Sequence, residues 1–158
     1  MKTRLQKKIE MLKLLREQYE LPVIKCSRWG TNKGFTRTEL LRGMLWTVFS
    51  EFIRRRDTGK CIACGFFKTF AELQAGHYVP VGGSSVDLWF DEHNVNGECE
   101  KCNAFDSFHL VPMRKNLLRK WGELIVHDIE KRRDTHLSVK WEETEYVQRI
   151  KHYLEKLK

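Results

Sequence analysis

Two Cys-x-x-Cys pairs, Cys61-Ile62-Ala63-Cys64 and Cys99-Glu100-Lys101-Cys102, constrain this chain more than any other feature of its sequence. Thirty-four residues lie between them. Each pair supplies two thiolates from a tight knuckle, and four thiolates close a tetrahedral site around Zn²⁺. Such a metal staples a loop that has no other means of holding its shape. Disulfides fit less well: the cysteine count is five, and Met1 to Lys8 is basic without the apolar run of a secretory signal. A thioredoxin-like redox pair needs a βαβ setting, which neither pair has. Cys26 stands apart and reads as a packed bystander thiol.

The rest of the composition fits an intracellular scaffold around that staple. A hydrophobic fraction of 41% allows a modest core in 158 residues, enough for one domain with a helical appendage. We divide the chain into an N-terminal basic helix and loop over 1–35 and a zinc-containing domain over 36–158, with its core at 57–112. Lys and Arg outnumber Asp and Glu by 29 to 21, for a net charge of +8. That excess favours a polyanionic partner, nucleic acid first. The cations crowd the metal segment: Arg54, Arg55 and Arg56 precede it, and Arg114, Lys115, Arg119 and Lys120 follow it. No run of 18 apolar residues exists, so no membrane span is expected, and the chain reads as cytoplasmic.

Periodicity predicts a helix from Thr3 to Tyr19, with Leu5, Ile9, Leu12 and Leu15 on one face, ended by Leu21-Pro22. Lys25 to Phe35 reads as a loop, an ordinary exposed turn first and a phosphate contact second. Thr36-x-x-Glu39 has the form of a capping box. It opens a second helix whose face from Leu40 to Ile53 must be buried, and whose last turn holds the three arginines. Between Lys60 and Glu98 no helical period persists. Gln74 to Val79 is expected as a strand carrying His77, Val79 to Val86 as a loop, and Leu88-Trp89-Phe90 as the second strand of a hairpin. A helix should start after Cys102. Val111-Pro112 marks a break, Met113 to Arg133 a helix, and Ser138 caps a last one, with Trp121 and Trp141 in the core.

Four cysteines close the zinc site coordinatively, so chemistry must come from the loop it holds. The candidates there are His77, Asp87, Asp91, Glu92, His93, Asn94, Asn103, Asp106 and His109. Imidazole titrates near neutral pH and suits a general base. Carboxylates and Asn carbonyls are hard donors that suit Mg²⁺.

The order of motifs resembles the HNH, or ββα-metal, nucleases with a zinc-knuckle frame, such as phage endonuclease VII. It resembles more closely still the phage NinG/Rap family of recombination endonucleases acting on branched DNA. The likeness spans residues 45 to 125 and rests on six motifs. They are Phe52-Ile53-Arg54-x-Arg56-Asp57, Cys61-Ile62-x-Cys64-Gly65, Ala75-Gly76-His77-Tyr78, Phe90-Asp91-Glu92-x-Asn94, Cys99-x-x-Cys102-Asn103 and Leu110-Val111-Pro112. The resemblance implies a mainly helical α+β fold with a zinc-stapled ββα-metal (HNH/His-Me finger) core and flanking helices. It implies that His77 is the general base, that Asn94 holds the loop and orients it, and that Asn103 binds a catalytic Mg²⁺ or Mn²⁺. Many such nucleases have an Asp or His just before the base, where this chain has Gly76. Asp87, Asp91, Asp106 and His109 are available to replace it; His109 is favoured, because a helix starting near Asn103 would bring it to the same face and imidazole tolerates Mn²⁺. The implied activity is cleavage of Holliday junctions or D-loops by a homodimer, alongside recombination proteins. A less selective HNH nuclease and a non-catalytic zinc-stapled DNA-binding module are the alternatives.

Overall fold

A computed structural model describes residues 2–26, 35–80, 85–135 and 139–158. Most of the Lys25 to Phe35 loop, the centre of the Val79 to Val86 loop and the expected cap Ser138 fall outside these residues. The chain forms two units: Met1–Phe49 with Trp141–Lys158, and Ser50–Lys140.

The first unit is helical. α1 (Arg4–Tyr19) starts at Thr3, whose hydroxyl accepts from the Gln6 N–H while the Gln6 side chain accepts from the Thr3 N–H. Leu15 is its buried residue, whereas Leu5 and Ile9 stay exposed, so the expected apolar stripe is narrower than its spacing. α2 (Arg37–Arg56) starts from the Thr36–Glu39 capping box, with Thr36 N–H to Glu39 at 2.7 Å and Glu39 N–H to Thr36 at 3.1 Å. Leu40, Leu41, Met44, Leu45 and Phe49 are fully buried, each side chain contributing about 1.5–3 kcal/mol. α6 (Glu143–Lys156) is capped by Glu142 and buries Tyr146, Val147, Ile150 and Tyr153. Phe49 meets Tyr153 edge-on at 5.0 Å, and Arg37 grips Glu143 through two nitrogens at 2.8 and 2.9 Å. Trp141 is buried beneath Arg149, as expected of a core tryptophan.

The second unit carries a small antiparallel ribbon, β1 (Leu73–His77) paired with β2 (Val95–Cys99). β1 is where the sequence places it. The second strand is not Leu88-Trp89-Phe90: Val86–Trp89 forms a short helix, α3, and β2 is the segment leading into the second cysteine pair. A π-helical turn (Lys101–Phe105) follows β2, not the continuous helix expected after Cys102. α4 (Leu110–Trp121) and α5 (Glu123–Asp134) replace the single helix expected over Met113 to Arg133. Gly122 at φ 84°, ψ 165° breaks the period between them, in a region that side chains rarely adopt. Pro112 does not break α4; it sits in the first turn, where a backbone N–H has no helical partner anyway. Met113, Leu117, Val126 and Ile129 from these helices share one core with Cys61, Ala63, Cys99, Cys102, Val79 and Leu88. The knuckles are thus packed into the core of this unit. Among the described residues, no helix is long and apolar enough to cross a membrane.

Candidate functional site

The metal frame is the simplest part to read. The Sγ atoms of Cys61, Cys64, Cys99 and Cys102 all lie within 4.8 Å of one another. Cys64 and Cys99 are 3.9 Å apart, close to the roughly 3.8 Å edge of a tetrahedron with Zn–S bonds of about 2.3 Å. All four are free thiols, so the set is placed to hold a structural metal such as zinc. Burial pushes the Cys61 and Cys102 thiols up, while at Cys99 burial is outweighed by the Cys102 N–H and the neighbouring thiols. Metal binding must displace those protons, so its affinity falls with acidity. The Cys99 N–H donates to Cys61 Sγ at 3.4 Å, one knuckle supporting the sulfur of the other.

His77 ends β1 opposite Val95. Its Nε2 lies 3.1 Å from the Trp89 carbonyl. A carbonyl only accepts, so Nε2 carries the proton of the neutral ring and Nδ1 carries the lone pair. Burial lowers the His77 pKa and the Trp89 carbonyl opposes that shift, so the ring is held neutral near physiological pH. That is the state a general base needs.

Asn94 is fully buried and works as a clamp. Its Oδ1 accepts from the Val79 N–H at 2.8 Å, and its Nδ2 donates to the Val79 and Leu88 carbonyls at 3.2 and 2.8 Å. It therefore ties together the two ends of the loop beyond β1, just past His77 and just before Trp89. The Leu88 carbonyl it holds belongs to the residue just before Trp89, whose own carbonyl accepts from His77.

Asn103 sits in the π turn and donates from Nδ2 to Gln74 Oε1 at 2.8 Å, which turns its Oδ1 toward Gly76. There it meets a residue the sequence did not single out. A Cβ built on Gly76 would collide with Glu98 Oε2 and lie 2.9 Å from Asn103 Oδ1. Glycine is required at 76 because the Glu98 carboxylate already fills the side-chain position. Glu98 is fully buried, its Oε1 paired with His109 Nδ1 at 2.7 Å. Burial raises the Glu98 pKa and His109 works against the rise. Nothing in the sequence flags Glu98, which is flanked by Gly97 and Cys99 in a strand without apolar alternation. Successive strand residues face opposite sides, so His77 lies one residue along and across the ribbon from this cluster.

The other candidates have structural work. Asp91 and Asp87 pair with Arg132, and Asp91 Oδ1 also accepts from the His93 and Asn94 N–H groups. His93 stacks edge-on against Trp121 at 4.8 Å, and the Glu92 carbonyl accepts from Arg56. Asp106 is exposed and caps the Phe108 N–H. Asp106 is near enough for its charge to push the Glu98 pKa up, but of the four proposed replacements for a ligand at 76 it is His109 that bonds directly into the cluster beside Asn103. It does so from the N-cap of α4, through Glu98, and not along a shared helical face.

The cations divide likewise. Arg56 is drawn inward, bonding Asp57, Asn96 and the Glu92 and Val95 carbonyls. Lys120 bonds Asp57 and Asn96, Arg114 grips Glu130, and Arg55 pairs with Glu51. Arg54 lies 4.3 Å over the Phe70 ring. Lys115 and Arg119 are exposed and have no acidic partner among the described residues. Lys60, which the sequence reading passed over, joins Arg119 and Lys120 around a cleft of about 500 Å³ behind the first knuckle.

Comparison with known proteins decides the lineage. The family model described as "Bacteriophage Lambda NinG protein" matches residues 36–158. The chain belongs to the NinG family of phage proteins. Similar curated proteins, each named "Protein ninG", come from Salmonella phage P22 (39% identical over 111 residues, 69% of this chain and 52% of the relative) and Escherichia phage lambda (36% over 107 residues, 65% and 52%). Another, from Escherichia phage 933W, is 39% identical over 88 residues, 55% of this chain and 43% of the relative. The chain thus spans about half the length of the curated relatives it matches. No solved structure matches it.

Proposed function

We propose that this chain is a metal-dependent endonuclease that hydrolyses phosphodiester bonds in branched DNA, with β1, β2 and the Asn103 turn serving as an HNH-like ββα-metal core. The observation that carries the reading is His77. It is a half-buried imidazole whose Nε2–H donates to the Trp89 carbonyl, on a hairpin that four cysteines frame. Its Nδ1 lone pair takes the proton from the attacking water. Asn94 anchors the Leu88 carbonyl, one residue before the Trp89 carbonyl to which His77 donates, and so steadies the loop that sets the tautomer. Asn103 Oδ1 is a hard donor turned into a polar cluster, which fits a divalent cation. When bound, Mg²⁺ or Mn²⁺ supplies charge neutralisation at the scissile phosphate and leaving oxygen.

Two features support a branched substrate. Phe66 and Phe67 follow the first cysteine pair, Phe105 and Phe108 the second, and all four are 72–79% exposed. Exposed aromatic rings stack on bases that have left the duplex, whatever their sequence. Lys60, Lys115 and Arg119 supply phosphate contacts that position without reading bases. A homodimer would give the two active sites that symmetric junction cleavage needs, and a recombination protein is a fitting partner for such a product.

The competing reading is a zinc-stapled module that binds DNA without cutting it. Replacing His77 by Ala separates the two: the protein should still retard labelled DNA in a gel but lose at least about a hundredfold in cleavage rate. Undiminished cleavage by the variant would remove His77 from the mechanism.

A further inference from the structure

We propose that Glu98 is the carboxylate ligand of the divalent cation, acting with Asn103 Oδ1 at the side-chain position that the glycine at 76 leaves open. The assignment rests on the nuclease reading for its purpose, and on the geometry for its residues.

Glu98 has no exposed side-chain surface. One oxygen is fixed by His109, while the other, Oε2, is buried without a hydrogen-bond partner among the described residues. A buried carboxylate oxygen with neither donor nor cation is strongly disfavoured. Asn103 Oδ1, which lies against the same side-chain position of Gly76, offers no relief: it is itself an acceptor, its amide nitrogen being spent on Gln74. Two hard acceptor oxygens brought to the same glycine are what an oxygen-seeking cation requires. His109 holds the carboxylate from behind, in the manner of the outer partners that orient metal ligands. Asn103 and His109 are only half-buried and give the cluster its side toward solvent and substrate.

The register explains how the ligand arrives. Glu98 pairs across the ribbon with Gln74, and Gly76 is its diagonal neighbour on the same face. With no Cβ at 76, the Glu98 side chain folds over the glycine and delivers a carboxylate from β2 to the place a β1 side chain would occupy.

The rival explanation is a protonated Glu98 that donates its own O–H to Asn103. Glu98→Gln separates the two, because the Gln amide offers the same kind of donor in the same volume but is a far poorer cation ligand. The test is a Mn²⁺ titration of the full-length, zinc-loaded protein, with free Mn²⁺ followed by electron paramagnetic resonance. Zinc content and thermal unfolding verify that each variant is folded. The wild type should bind one Mn²⁺ at this site, and Glu98→Gln should weaken it roughly 10- to 100-fold or more. Gly76→Asp/Glu98→Ala, which moves the carboxylate back to β1, should recover binding. Equal Mn²⁺ affinity in wild type and Glu98→Gln, or no binding by the wild type, overturns the assignment. The nuclease reading is judged separately by DNA cleavage: cutting that survives Glu98→Gln unchanged would leave that reading standing while removing this ligand. Mn²⁺ bound through Glu98 by a protein that cuts nothing would do the reverse.

Discussion

At His77 two forces pull on one proton. Burial disfavours the imidazolium, the Trp89 carbonyl favours it, and burial wins, taking the pKa below its ordinary 6.5. Below pH 6.5 the unfolded chain therefore binds the proton more readily than the fold does, and this site costs stability only on that acidic side. For catalysis the sign is favourable: the base stays unprotonated to lower pH than a free histidine. The cleavage rate plotted against pH should be level above about 6.5 and fall on an acidic limb with its midpoint below that value. A midpoint above 7 would show that another group limits the reaction. Much of this residue-level picture is legible in the sequence, because a histidine between two cysteine pairs stands out. Glu98 is not. Its role depends on a glycine one strand away, and that pairing exists only once β2 is known.

Between elements, Asp57 is the joint. It lies just past α2 and accepts from Arg56 at 2.8 and 2.7 Å, from Lys120 of α4 at 2.7 Å and from the Gly97 N–H of β2 at 2.8 Å. The last of these satisfies a donor on the outer edge of the two-stranded ribbon, which would otherwise be unpaired. Burial alone would raise the Asp57 pKa, yet Arg56 and Lys120 together hold it below the ordinary carboxylate value. The same burial draws Lys120 down despite Asp57. Of the two cations, Arg56, with its two-pronged grip, is the one that secures the charge. The stability this ion contributes is present above about pH 4 and is lost as pH falls through its depressed value. Asp57→Asn should cost about 3 kcal/mol in urea unfolding at pH 7, since it leaves two cations without their carboxylate. A loss under 1 kcal/mol would make the network ornamental. α2 itself was readable from the capping box at Thr36 and the apolar face. β2 was not, because Val95-Asn96-Gly97-Glu98-Cys99 has no alternation of apolar and polar residues, all five being buried. The α4–α5 break escaped because Trp121, Leu124 and Ile125 keep helical spacing across Gly122, whose backbone alone departs from it.

For the whole molecule the staple decides what survives. Its four sulfurs come from the two ends of the Ser50–Lys140 unit's irregular segment and share a core with α4 and α5. A structural metal such as zinc bound by these sulfurs would therefore make metal binding and folding of that unit one equilibrium. Elemental analysis should find one Zn²⁺ per chain. A strong chelator, or Cys64→Ser, should lower the melting temperature and expose the 50–140 amides to hydrogen exchange; a chelated protein that melts unchanged would show the frame to be held by packing alone. The most direct measurement of the central claim is cleavage of a labelled four-way junction, beside a linear duplex of the same sequence, in Mg²⁺ and in Mn²⁺. The account predicts metal-dependent incision of the junction with the duplex largely intact. Equal cutting of both would contradict branch selectivity, and tight binding with no cutting in either metal would contradict the nuclease.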